Sequence, residues 1–138
     1  MIKGGILPKF ISHKFSGRVV TVDRLENVIV NRIAMLAMSN PELDVEWAII
    51  NSDWGVLTIS EGRKLIGFEY VESESSSFRP ERIRVYQETL DHGLTAVVIV
   101  PEELYLDVHE RLYRVLGDRT PKVLSYDCIG ITAMPRPS

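Results

Sequence analysis

Two acidic residues, Asp53 and Glu69, sit where a β-hairpin could bring them together, and that pairing is the one site in the sequence able to carry chemistry. The stretch Trp54 to Ile59 and the stretch Lys64 to Glu72 read as the arms, with Ser60-Glu61-Gly62 as a three-residue loop that places Gly62 in the left-handed position. That register sets Asp53 opposite Glu69. The odd-numbered face then carries Asp53, Gly55, Leu57 and Ile59 against Leu65, Gly67, Glu69 and Val71. Carboxylates on opposed residues have Cβ atoms about 4.5–5.5 Å apart. Two such charges need a cation between them or a shared proton. Mg²⁺ is the natural cation, because it takes one or two carboxylates plus water and phosphate oxygens. A two-residue Gly62-Arg63 loop would instead set Asp53 opposite Glu72 and turn Glu69 to the other face. The plain alternatives are a turn role for Asp53, in Asn51-Ser52-Asp53, and a solvated Glu69.

The elements that must position these acids follow from hydrophobic period and from breakers. Asp23 followed by Glu26 fits a capping box at the start of a first helix, which Leu25, Val28, Ile29, Ile33, Leu36 and Ala37 continue to Ser39-Asn40-Pro41. Val45–Ile50 reads as a strand before the hairpin. Pro80 opens a second helix that runs to about His92, with Gly93 as its stop. Leu94–Val100 is a continuous β-branched run of the kind buried on both faces in parallel pairing. Pro101-Glu102-Glu103 opens a third helix ended by Gly117. Val123–Tyr126 and Ile129–Thr132 read as closing strands. Residues 1–22 read as an irregular segment with Arg18–Val22 as a short edge strand, and 23–138 as a single α/β domain. The class expected is a mixed sheet with helices on both faces.

Composition narrows the function. Over 138 residues, 45% are hydrophobic and 25% charged, which describes a globular chain. The formal net charge of −3 disfavours coating nucleic acid by bulk charge, though not a local basic patch. One cysteine, Cys128, excludes an internal disulfide and a thiolate-rich zinc site. No apolar run reaches the roughly 18 residues of a spanning helix, and the start carries no signal-type apolar stretch. No membrane association and a cytoplasmic location are the expectations.

These residues and their order resemble the PD-(D/E)XK superfamily of restriction-endonuclease-like enzymes. That family's core runs helix, three meandering strands, helix, strand, with an acid opening the second strand and Glu-x-Lys on the third. Ser52-Asp53 stands in the place of its Pro-Asp, and Glu69-Tyr70-Val71 in the place of Glu-x-Lys. Glu26 matches a glutamate that members often carry in the first helix, although its capping role explains it fully. The resemblance spans roughly residues 23–127 and adds an extra helix and C-terminal strands to the αβββαβ core.

The resemblance implies Asp53, Glu69 and Glu26 as catalytic acids, with Asp53 and Glu69 as Mg²⁺ ligands, and DNA as partner to a homodimer. Val71 departs from it. Valine cannot supply the ammonium that orients water and offsets phosphate charge. Lys64 is about 23 Å away along the strand, too far to substitute; Arg84 or Gln87 on the second helix is geometrically easier. Arg63, Lys64, Arg79, Arg82, Arg84 and Gln87 form the candidate nucleic-acid contacts, against the plainer reading of a solvated face. Trp54, Phe68 and Tyr70 share the other hairpin face, as core under a helix.

Three functions follow: an Mg²⁺-dependent DNA endonuclease with a migrated basic residue, a non-catalytic nucleic-acid-binding relative, and a protein-interaction or assembly module without nucleic acid. The missing lysine and the acidic balance favour the second over the first.

Overall fold

The computed structural model describes residues 16–133. Helix α1 (Ser16–Ser39) leads into strands β1 (Leu43–Ile50), β2 (Trp54–Glu61) and β3 (Lys64–Val71). Helix α2 (Pro80–Asp91), strand β4 (Thr95–Val100), helix α3 (Tyr105–Leu116), strand β5 (Lys122–Ser125) and helix α4 (Tyr126–Ala133) follow. The five strands lie in sequence order in one sheet. β1, β2 and β3 are an antiparallel meander, whereas β3, β4 and β5 run parallel. This is an α/β domain on a five-stranded mixed sheet.

Strand alternation divides the core between the two faces of the sheet. Leu57, Ile59, Val71 and Ile99 project to one side, where Leu25, Ile29 and Ile33 of α1 and Tyr126 and Ile129 of α4 cover them. Tyr70, Val98, Val100 and Val123 project to the other, under Tyr86 of α2 and Val108 and Leu112 of α3. Trp54, Val56 and Phe68 join that second cluster, so the hairpin aromatics are core, as their alternation indicates. Gly55 lets α1 approach: a Cβ there would stand 2.7 Å from Ile29 Cδ1. Gly93 and Gly117 end α2 and α3 with positive φ, 76° and 58°.

Three expectations need correction. Residues 16–22 are helical rather than irregular, and Arg18–Val22 is no edge strand. Val22 packs on the first cluster, one turn before Leu25, so the apolar stripe continues backwards and tertiary burial overrides β-branched preference. The rest of the 1–22 segment, residues 1–15, lies outside the described residues. Asp23 and Glu26 therefore sit exposed within α1 instead of capping it. Lastly, Ile129–Thr132 belongs to α4. Tyr126 and Ile129, three apart, are both buried against the α1 side of the sheet, which a strand period of two would not allow.

Candidate functional site

The hairpin register decides whether the acids meet. Glu61 pairs with Lys64, so the loop is the two-residue Gly62-Arg63. An irregularity at Ile59/Ser60 then shifts the pairing by one, and beyond it Ile59 faces Gly67, Leu57 faces Glu69 and Gly55 faces Val71. The bulge returns Glu69 to the odd-numbered face but leaves it opposite Leu57, not Asp53. Continuing the register past Gly55 brings Asp53 level with Ser73, and Ser73 Oγ donates to Asp53 Oδ1 at 3.0 Å. Ser73 is four residues beyond Glu69, about 13 Å along the strand. The expected opposition of Asp53 and Glu69 does not form, and neither does that of Asp53 and Glu72.

Each acid has its own arginine instead. Arg32 of α1 makes a two-point contact with Glu69, Nε to Oε1 at 2.6 Å and Nη2 to Oε2 at 2.9 Å. Asp53 follows a tight turn in which Asn51 and Ser52 have φ of 54° and 56°, closed by Asp53 N–H donating to Ile50 O at 2.9 Å. Its carboxylate accepts from Ser75 Oγ at 2.6 Å, from Ser73 Oγ and from the Arg79 guanidinium. Burial pushes the Asp53 pKa up, but the hydrogen bonds from Ser75, Arg79 and Ser73 and the charge of Arg79 outweigh it. The carboxyl is held below its ordinary value.

A third acid, Glu72, is the most enclosed. It is 0% exposed, just past β3. Arg82 Nη2 donates to its Oε2 at 2.7 Å and Arg82 Nε donates to both oxygens at 3.0 Å. The Tyr86 hydroxyl donates to Oε2, and Ser76 Oγ to Oε1 at 2.6 Å. The Arg82 guanidinium lies 3.7 Å from the Trp54 ring centroid, a cation–π stack. Burial opposes charge on Arg82, yet the hydrogen bond to Glu72 and the Glu72 charge raise its pKa above the ordinary arginine value. Burial, with the Glu72 charge, pushes the Tyr86 phenol well up.

The other candidates scatter. Arg63 and Lys64 are exposed at the hairpin tip. Arg79, Arg82 and Arg84 stand at the start of α2, beyond the opposite end of β3, so the basic residues do not share one patch. Arg82 is 4% exposed and committed to Glu72, which removes it from any surface contact. Arg84 and Gln87 are exposed on α2. Val71, in the lysine's place, is buried in the first apolar cluster.

The donor set does not fit Mg²⁺: the oxygens of Asp53 and Glu69 are spent on separate arginines in separate places. Among the described residues, no group of three or more His, Cys, Asp or Glu side chains could hold a metal ion. Sequence reasoning passed over Arg32 and Tyr86, and weighed Glu72 only as a residue set opposite Asp53. A signal was available for the first: Arg32 is the only charge between Glu26 and Glu42, and a lone charge in an apolar helix calls for a buried partner.

Compared with protein-family models, curated proteins and solved structures, the chain matches none.

Proposed function

We propose that this chain is a non-catalytic relative of the PD-(D/E)XK nucleases, a nucleic-acid-binding module rather than a phosphodiesterase. The observation that carries the reading is the Arg32 fork on Glu69. An arginine that spans both carboxylate oxygens takes one lone pair from each and sets its own positive charge against the acid, where a cation would be repelled, and it cannot act as a proton carrier. The order helix, three-strand meander, helix, parallel strand supports kinship with the nuclease core. Val71 supports loss of catalysis, since it is packed where the family keeps its lysine.

Contact with nucleic acid would fall on Arg63 and Lys64 at the tip and on Arg84 and Gln87 along α2. Few phosphates would be neutralised, so affinity would fall only gently with salt. The test is labelled DNA and RNA incubated with Mg²⁺ or Mn²⁺, with binding measured across salt. Cleavage that Asp53→Ala abolishes would replace this reading with the active Mg²⁺-dependent endonuclease. Absence of binding at low salt would replace it with the interaction module.

That last reading has its own support. Leu106, Tyr113 and Val115 of α3 and Val30 and Met38 of α1 are large apolar side chains left exposed. Where such side chains form a contiguous patch they mark a contact with another protein, and a homodimer would be one such contact. No helix among the described residues is long and apolar enough to cross a membrane.

A further inference from the structure

Three donors converge on the Asp53 carboxylate, and all come from the segment between β3 and α2. Ser73 Oγ at 3.0 Å and Ser75 Oγ at 2.6 Å donate to one oxygen, Oδ1. The Arg79 guanidinium donates to the other, Oδ2, while its second nitrogen donates to Ser75 Oγ at 3.4 Å. The acceptor arrives from elsewhere, on the turn between β1 and β2. Asp53 lies beneath, with its side chain 13% exposed, and Arg79 lies above it at 40%. Ser75 is exposed and Arg79 half-buried, so these two donors open to solvent, with the buried Ser73 behind them.

Hydroxyls combined with a guanidinium are the donors by which proteins hold phosphate oxygens. A carboxylate offers two negative oxygens at a spacing close to that of one edge of a phosphate. We infer that Ser73, Ser75 and Arg79 form a phosphate-binding cradle held shut by Asp53, an internal carboxylate that an incoming phosphate group displaces. The inference rests on the nucleic-acid reading above, to which it adds a backbone contact; a free phosphate has the same chemistry. The depressed pKa of Asp53 agrees with it, because these donors stabilise negative charge.

A tethered competitor acts at an effective concentration on the order of millimolar. A single phosphate therefore competes poorly in the native chain, whereas a polyanion with several contacts opens the cradle. The occupant is thus selected for multivalency.

The test titrates inorganic phosphate at low salt into the native protein, Asp53→Ala and Asp53→Asn, following backbone amide shifts of residues 73–79. Removing the competitor should give saturable shifts with affinity raised about tenfold or more. Adding Arg79→Gln to Asp53→Ala should abolish them. Asp53→Asn keeps the side-chain volume, so a poorly folded alanine variant does not decide the matter. No saturable shift in the folded variant, or binding that survives Arg79→Gln, overturns the cradle and leaves Asp53 as a tie between loops. A DNA oligonucleotide titrated in parallel separates the two ideas. Phosphate binding without oligonucleotide binding keeps the cradle and overturns the nucleic-acid reading. In the folded Asp53 variants, where the competitor is gone, oligonucleotide binding without phosphate binding does the reverse.

Discussion

Arg32 and Glu69 face each other across the gap between α1 and β3, 37 residues apart in sequence, in a two-point contact with side chains 13% and 5% exposed. The pair neutralises the acid that would otherwise be the best candidate for a metal ligand. It also leaves a charge inside an apolar layer that only its partner makes tolerable. Breaking one side of such a pair costs far more than removing both.

Arg32→Ala should therefore destabilise the fold by about 2–4 kcal/mol, because it strands the Glu69 carboxylate. Replacing both, as Arg32→Met with Glu69→Leu, should recover most of that loss. Urea unfolding of the two single variants and the double variant gives the coupling. A single-variant loss within experimental scatter of zero would mean that water screens the pair.

The Glu72 cluster should be more sensitive still. Arg82→Ala removes the partner of a carboxylate with no exposure and strips the cation from the Trp54 face, for a loss of roughly 3–5 kcal/mol. Tyr86→Phe takes away one donor of several and should cost about 1–2 kcal/mol. Thermal and urea unfolding measure both. The assignment fails if Tyr86→Phe proves as damaging as Arg82→Ala.

Alkaline pH should unfold the protein as its tyrosines ionise. Burial raises the pKa of Tyr70, Tyr86 and Tyr126 above the ordinary phenol value. A group with a raised folded pKa contributes stability that is complete below its unfolded value, about 10, and is lost as pH climbs through the folded one. Tyrosinate absorbance and far-ultraviolet circular dichroism should thus change together. Early ionisation of these phenols in a still-folded chain would contradict their burial.

The acid limb has the opposite sign. Asp53 has its pKa lowered in the fold, so its contribution is present above the unfolded value of about 3.9 and disappears as pH falls through the folded value. Arg79→Gln and Ser75→Ala should each flatten the loss of stability with acid in this range. If both variants keep the native acid profile, Asp53 is not held by these donors.

Divalent metal should do little. Mg²⁺ or Mn²⁺ in millimolar excess should leave the melting temperature unmoved, since a ligand that does not bind the native state cannot stabilise it. A metal-dependent rise that Glu69→Gln abolishes would show that Arg32 gives way to a cation, and the non-catalytic reading would fall.

Much of the architecture was legible because it is written locally. The helical spacing from Leu25 to Leu36, the β-branched run ending at Val100 and the stops at Gly93 and Gly117 each announce an element through neighbours a few residues away. Where local preference and burial disagree, the local reading fails: Val22 and Ile129 are β-branched, yet both lie on helices because an apolar face awaited them. The candidate site was less legible. Asp53 and Glu69 were recognisable as unusual acids, but their partners Arg79 and Arg32 lie 26 and 37 residues distant.

By itself, the order of residues determined most of the strands and helices between Leu25 and Ser125 and which hairpin carries the acids, but not the helical state of 18–22 and 129–132. Only the folded chain decided how that hairpin is aligned. One extra residue at Ile66 moves every facing pair beyond it. What selects among these registers is the simultaneous burial of Leu57, Ile59 and Val71 under α1 with Glu69 brought to Arg32. That selection is a sum over distant contacts, which no short stretch of sequence contains.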